Sequence, residues 1–198
     1  MKTKITELLT GLNACHSPSG DEKAIAHYIA SIAMPFADET YTDTMGNLIV
    51  RKRGSGKKVM FAAHMDSLGF IITHIEKNGL LRFGRIGGHR PTHIISAPVR
   101  FKNGIAGTIA TDKDPDMKDR ALGDFYIDIG ARTRKAAEKL VKIGDTAIFD
   151  TKVAVQGSAI LSPYLDNRIC CAALLIAIEE IKGSENDLYF VFTAQEEV

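Results

Sequence analysis

The sequence predicts an α/β protein with a β-rich insertion, on three observations. Helical periodicity marks the chain up to Pro35 and returns after residue 160. Runs of apolar and β-branched residues between these helices have the composition of buried strands. Between Ser67 and Ser158 the texture changes to short strands at turn-punctuated intervals, the pattern of a small barrel or sandwich. The expected division is therefore an α/β unit from residues 1–67 and 160–198, with an inserted β-rich domain over 68–159.

Taken in order, Ile5, Leu8, Leu9 and Leu12 recur at helical spacing and define a first amphipathic helix ending near Asn13. Ser19-Gly20-Asp21-Glu22 has the form of a capping box, and Ile25, Tyr28, Ile29 and Ile32 mark one face of a second helix that Pro35 stops. Strands are expected over residues 40–44 and 48–53. A third, Lys58 to Ala63, is apolar enough to be buried on both faces. The basic cluster Arg51, Lys52, Arg53, Lys57 and Lys58 reads as a solvated edge rather than a phosphate patch. In the insertion, Lys77-Asn78-Gly79 marks a hairpin, Thr133 to Ile143 a helix, and Thr111 to Leu122 an exposed, mobile loop. His89 and His93 are four apart, but two glycines and a proline around them argue against a helical metal pair. A long buried helix is expected from Ile169 to Ile181, then a final strand from Asp187.

Bulk properties narrow the function classes. A net charge of +1 gives no basis for nucleic acid or an anionic membrane surface as partner. Cys15, Cys170 and Cys171 are odd in number and lack C-x-x-C spacing, which suggests a reducing, cytoplasmic setting with the thiols as small core residues. No apolar run reaches membrane-spanning length, and the start has no signal-peptide pattern.

The chemistry-bearing residues stand where predicted strands end. Asp187 to Thr193 runs into Glu196-Glu197, two adjacent acids that raise each other's pKa unless a cation lies between them. After the third strand comes His64-Met65-Asp66, whose first and third residues share a face of an extended chain. Such a carboxylate can fix the tautomer of a metal-binding imidazole. Alone, the tripeptide would equally suit a core histidine. Asp166, just before the last helix, fits a helix cap or a bridging ligand equally well. Together these residues suggest two divalent ions sharing a carboxylate, with a free carboxylate as proton shuttle, which is the apparatus of amide hydrolysis.

Ala63-His64-Met65-Asp66-Ser67-Leu68-Gly69-Phe70, Leu165-Asp166-Asn167-Arg168 and Thr193-Ala194-Gln195-Glu196-Glu197-Val198 resemble the tetrahedral aminopeptidase family of dinuclear metallopeptidases, with Phe125 to Ala131 matching between them. The long insertion between the first two motifs separates this family from other exopeptidases. The resemblance implies a zinc-exopeptidase-like three-layer α/β/α domain with an inserted small β-barrel domain for oligomerisation. It implies His64 as ligand of one metal, Asp166 as bridge, Glu197 as ligand of the second, Glu196 as general base and Asp66 as the group that orients His64. Two divalent ions, zinc or cobalt, peptide substrates and a dodecameric hollow tetrahedron follow from it. Ser67 and Asn167 stand where acids are common in the family. The family continues well past the Glu-Glu pair with further Asp and His ligands, so the sequence is expected to be an N-terminal portion with little or no peptidase activity by itself. The competing expectations are a glycoside hydrolase of the cellulase type and a non-catalytic oligomerisation module.

Overall fold

The structure, a computed structural model, describes residues 1–90, 93–113 and 121–198. In chain order its elements are α1 (Lys2–Ala14), α2 (Lys23–Ala33), β1 (Glu39–Thr42), β2 (Leu48–Lys52), β3 (Lys58–His64), β4 (Gly69–Ile75), β5 (Leu81–Ile86), β6 (Pro98–Phe101), β7 (Ala106–Thr111), β8 (Phe125–Asp128), α3 (Arg134–Ala137), β9 (Thr146–Phe149), β10 (Ala154–Gln156), β11 (Ala159–Leu161), α4 (Leu165–Glu180) and β12 (Asp187–Thr193). The chain divides into two units, Met1–Ser67 with Lys152–Glu196, and Leu68–Thr151 with Glu197–Val198. The first unit resumes at Lys152, ahead of the expected residue 160, because β10 and β11 pair with each other as a hairpin instead of joining the barrel strands. Most of the loop expected over 111–122 lies outside the described residues.

In the first unit the described strands form a sheet in the order β1-β2-β12-β3. Strand β12 runs antiparallel to β2 and parallel to β3. Its alternation of buried and half-buried residues turns Leu188, Phe190 and Phe192 toward α1, α2 and α4, which supply Leu12, Ile29 and Leu175 to the same apolar cluster. Strand β3 departs from expectation. Only Ala63 and His64 are buried along it, and Met60 is 68% exposed, because among the described residues β3 is paired on one side only. Its apolar composition reflects parallel pairing with β12 rather than burial on two faces.

Three members of the basic cluster, Arg51, Lys52 and Arg53, are paired within the fold, and Lys57 and Lys58 are exposed. Arg51 forms a bidentate pair with Asp187, at 2.8 Å for each bond, and also reaches Glu39 at 3.0 Å. Arg53 pairs with Glu39 at 2.7 Å, and Lys52 donates to the carbonyl of Ile181.

The second unit is a closed barrel, β4-β5-β8-β7-β6-β9, which decides between the barrel and the sandwich. Phe70, Leu81, Phe101, Phe125 and Ile127 fill its core. The helix expected over 133–143 shortens to Arg134–Ala137, capped by Thr133 Oγ1 accepting from Ala136 N at 3.2 Å. Beyond it, Asn103 Nδ2 donates to the Leu140 carbonyl at 2.7 Å, which fixes that segment as turns. His89 is a core residue, stacked on Phe70 with ring centroids 4.6 Å apart and its Nε2 3.0 Å from the Gly69 carbonyl.

The largest fully buried side chain is a charged one, Arg168. Its Nη1 donates to Leu12 O at 3.0 Å and Asn13 Oδ1 at 2.9 Å, and its Nη2 to Ser17 Oγ at 2.7 Å. The guanidinium also lies over the Tyr164 ring, 4.6 Å from its centroid. One side chain thus satisfies the carbonyl end of α1 and ties it to the start of α4.

Two expectations follow. Arg168→Met leaves these three acceptors without their donor, so it should destabilise the chain by roughly 3 kcal/mol; an unchanged denaturation midpoint would contradict this. Arg51 holds the Asp187 carboxyl below its usual range. A carboxylate whose folded pKa is depressed stabilises the fold fully above its unfolded value of about 3.9, and this is lost as pH falls through the folded value. Asp187→Asn should therefore lower the melting temperature at pH 7, with the gap from the parent closing on acidification; a gap independent of pH would contradict it.

Candidate metal centre

His64 is the last residue of β3 and stands opposite Thr193 in the parallel ladder. The pairing extends one residue further through Met65 N donating to Thr193 O at 2.9 Å, so the exits of the two strands leave together. The His64 carbonyl accepts from the Cys171 thiol at 3.2 Å. Burial pushes that thiol up to about 12, which keeps it protonated as a donor.

Both ring nitrogens of His64 face carboxylates. Nδ1 lies 3.4 Å from Oδ1 of the fully buried Asp66. Nε2 lies 3.0 Å from Asp166 Oδ1 and 3.9 Å from Glu196 Oε2. Asp66 is itself in a fixed segment, because Ser67 N and Oγ both donate to Ser17 O at 3.1 Å and Ser67 O accepts from Ser19 N at 3.1 Å. Ser17 is the residue held by Arg168, so the loop behind the imidazole is tied to the start of α4.

Asp166 stands just before the regular helix, as expected. Its backbone is extended (φ −81°, ψ 109°), the Asp166–Asn167 peptide is cis, and Tyr164 before it has φ 55°. The chain therefore enters regular helix only after Asn167, and Asp166 turns its carboxylate to His64 instead of to the helix amides. That carboxylate is 88% exposed and the side chain of Glu196 is 61% exposed, so both are open to an ion from solvent. Glu197 is half-buried; within its own unit it neighbours Gly87, where a β-carbon would stand 3.0 Å from Glu197 Oε2.

The donor set suits a divalent cation. Two ligands of one tetrahedral zinc, with bonds near 2.0 to 2.1 Å, stand about 3.3 Å apart. The separations from Nε2, 3.0 Å and 3.9 Å, bracket that value. Three carboxylates around one imidazole also leave an excess of negative charge that a cation neutralises. His64 and Glu196 belong to a group of side chains able to hold a metal ion, with one ligand atom of each within 4.8 Å of the others.

Of the residues singled out in the sequence, Asp66, Asp166 and Glu196 all lie within 4 Å of the His64 ring. Sequence reasoning passed over Arg168, Ser17 and Cys171, which hold the backbone around them. For Arg168 a signal existed: an arginine at the start of an otherwise apolar helix needs buried acceptors.

Comparison with known proteins agrees with this geometry. The M42 glutamyl aminopeptidase family matches residues 46–198. A putative aminopeptidase of Acetivibrio thermocellus is 45% identical over 193 residues, covering 97% of this chain and 58% of its own length. The Pyrococcus horikoshii TET1 peptidase, which can assemble into a tetrahedron or a large octahedral shell, superposes with a TM-score of 0.86 at 32% identity, over 98% of this chain and 62% of its own. A Thermotoga maritima protein described as an endoglucanase has the same fold, with a TM-score of 0.85 at 34% identity over 98% of this chain and 59% of its own. The chain thus spans about three fifths of the length of these proteins. Because that family matches residues 46–198, well over half of the chain, the chain belongs to the M42 glutamyl aminopeptidase family.

Proposed function

We propose that the protein carrying this chain is a metal-dependent aminopeptidase that removes N-terminal residues from peptides, and that the cluster at His64 is part of its active site. The observation that carries the reading is the imidazole with Nδ1 against a buried carboxylate and Nε2 facing two solvent-open ones. His64, Asp166 and Glu197 would hold divalent ions, zinc or cobalt, with Asp166 as the shared ligand. Such ions supply Lewis acidity to a scissile carbonyl and lower the pKa of a water.

The chain's own residues do the rest. Asp66 Oδ1 faces Nδ1 at 3.4 Å and, with a proton on Nδ1, would favour the tautomer that presents the Nε2 lone pair outward. Glu196, free in solvent on one side, is the general base that takes a proton from water and returns it to the leaving amine. A three-layer zinc-exopeptidase arrangement accommodates this sheet, whose described helices cover one face. The barrel unit is the surface for self-association, up to the dodecamer expected of tetrahedral assemblies, and the three free cysteines suit a cytoplasmic setting. Among the described residues no helix is long and apolar enough to cross a membrane. A glycosidase needs two carboxyls across a cleft about 5 to 10 Å wide. Here Asp166 and Glu196 converge on a single imidazole, an arrangement for a cation, and the endoglucanase description of one relative falls within a peptidase family.

Two experiments test this. In calorimetric titration the chain should bind Zn²⁺ or Co²⁺, His64→Ala and Asp166→Asn should abolish binding at that site, and Asp66→Asn should weaken it roughly 10- to 100-fold. Titrations unaffected by all three variants would contradict the site, and assembly of a chain that binds no metal would favour the non-catalytic module. In the whole protein, hydrolysis of aminoacyl nitroanilides should stop on chelation and return with either ion. Glu196→Gln should lower kcat roughly 10²- to 10⁴-fold with ion binding retained; an unchanged kcat would remove Glu196 from its role.

A further inference from the structure

Two consecutive backbone amides at the exit of β12 are taken up by side chains from distant parts of the sequence. Asn47 Oδ1 accepts from Ala194 N at 2.9 Å, and Glu22 Oε1 accepts from Gln195 N at 3.1 Å. The same Oε1 accepts from Gly20 N at 2.7 Å, so one carboxylate oxygen joins the loop before α2 to the end of the central strand. Asn47 is oriented in turn, since its Nδ2 donates to Asp43 Oδ2 at 2.9 Å and its backbone N to Asp43 Oδ1 at 3.0 Å.

The residue gripped by Glu22 is conformationally unusual. Gln195 has φ 57°, the left-handed region where the β-carbon of an L-residue crowds the following carbonyl. It therefore needs its surroundings to hold it there. The turn at Gln195 is what bends the chain out of the strand direction, and the next residue is Glu196, 3.9 Å from His64 Nε2.

Glu22 does not serve the helix it precedes. The capping box expected from Ser19 and Glu22 is not formed: α2 begins at Lys23 with no side-chain cap bond from Glu22, and Ser19 Oγ has no hydrogen-bond partner among the described residues. Glu22 is nevertheless buried. Burying a carboxylate is costly unless strong bonds compensate, and charge-assisted bonds to amides are about twice as strong as neutral ones. A helix cap would need only a hydroxyl or an amide.

We infer that Glu22 is a positioning residue for Glu196, acting through Gln195, with Asn47 as its companion one amide earlier. This rests on the metal-centre reading, and the test separates the two. Co²⁺ alone is titrated calorimetrically into the 198-residue chain and its variants, with amide exchange of Ala194 and Gln195 followed in the metal-free state. Because the Gly20 and Gln195 amides bond to the same Oε1, Glu22→Gln keeps the acceptor and should bind Co²⁺ within about threefold of the parent, far short of the 10- to 100-fold cost of losing a supporting partner. Glu22→Asp is too short to reach both amides; it and Glu22→Ala should weaken binding at least about tenfold, with faster exchange at Gln195. If Glu22→Ala does not fold, the Gln and Asp variants carry the comparison, since both are polar and acid or amide in character. Parent-like Co²⁺ affinity in folded Glu22→Asp and Glu22→Ala overturns the inference alone. A parent chain that binds no Co²⁺ overturns the metal-centre reading and this inference with it.

Discussion

Everything in the candidate site depends on one imidazole being held still at the end of a strand that is paired on one side. His64 is fixed through its backbone by the parallel ladder to β12 and by the Cys171 thiol on its carbonyl. Its ring is fixed by Asp66 behind and Asp166 in front. The parallel register does double duty. Because Thr193 stands opposite His64, the residues that follow each strand emerge side by side, and an acid three residues past Thr193 comes within 3.9 Å of the ring. A shift of the ladder by one residue would turn His64 to the opposite face of the sheet and empty the site.

The supporting structure is polar and buried, which is uncommon for a scaffold of this size. Arg168, Ser17 and Ser67 bind the end of α1, the loop behind Asp66 and the start of α4 into one hydrogen-bonded unit. Glu22 and Asn47 perform the corresponding task at the exit of β12. Each is a group that costs free energy to desolvate and that is satisfied by backbone atoms next to the site residues. Stability and positioning are therefore carried by the same bonds. Irregular backbone at Tyr164 and Gln195 flanks Asp166 and Glu196, the two residues whose carboxylates face the imidazole.

The α/β class and the β-rich insertion were legible because both rest on periodicity, which survives in a single sequence. His64, Asp66, Asp166 and Glu196 could be singled out because metal chemistry restricts residue type and these residues fall where strands end, and the structure places the three acids within 4 Å of the imidazole. Other features were not legible, for definite reasons. Strand β3 was expected to be buried on both faces, yet Met60 is exposed, since composition does not report how many neighbours a strand has. The helix from Thr133 stopped early because Asn103, thirty residues away, takes the Leu140 carbonyl. Glu22 looked like part of a local capping box, and its real partner, Gln195 N, is 173 residues further on. Long-range hydrogen bonds of this kind leave no periodic trace.

The central claim is that His64 and the surrounding carboxylates converge on a divalent ion. The most direct measurement is anomalous diffraction at the zinc edge from crystals of this chain grown with Zn²⁺. Expected is a peak about 2.0 to 2.2 Å from His64 Nε2 and from an Asp166 carboxylate oxygen. No peak beside His64, with zinc bound elsewhere or not at all, would contradict it.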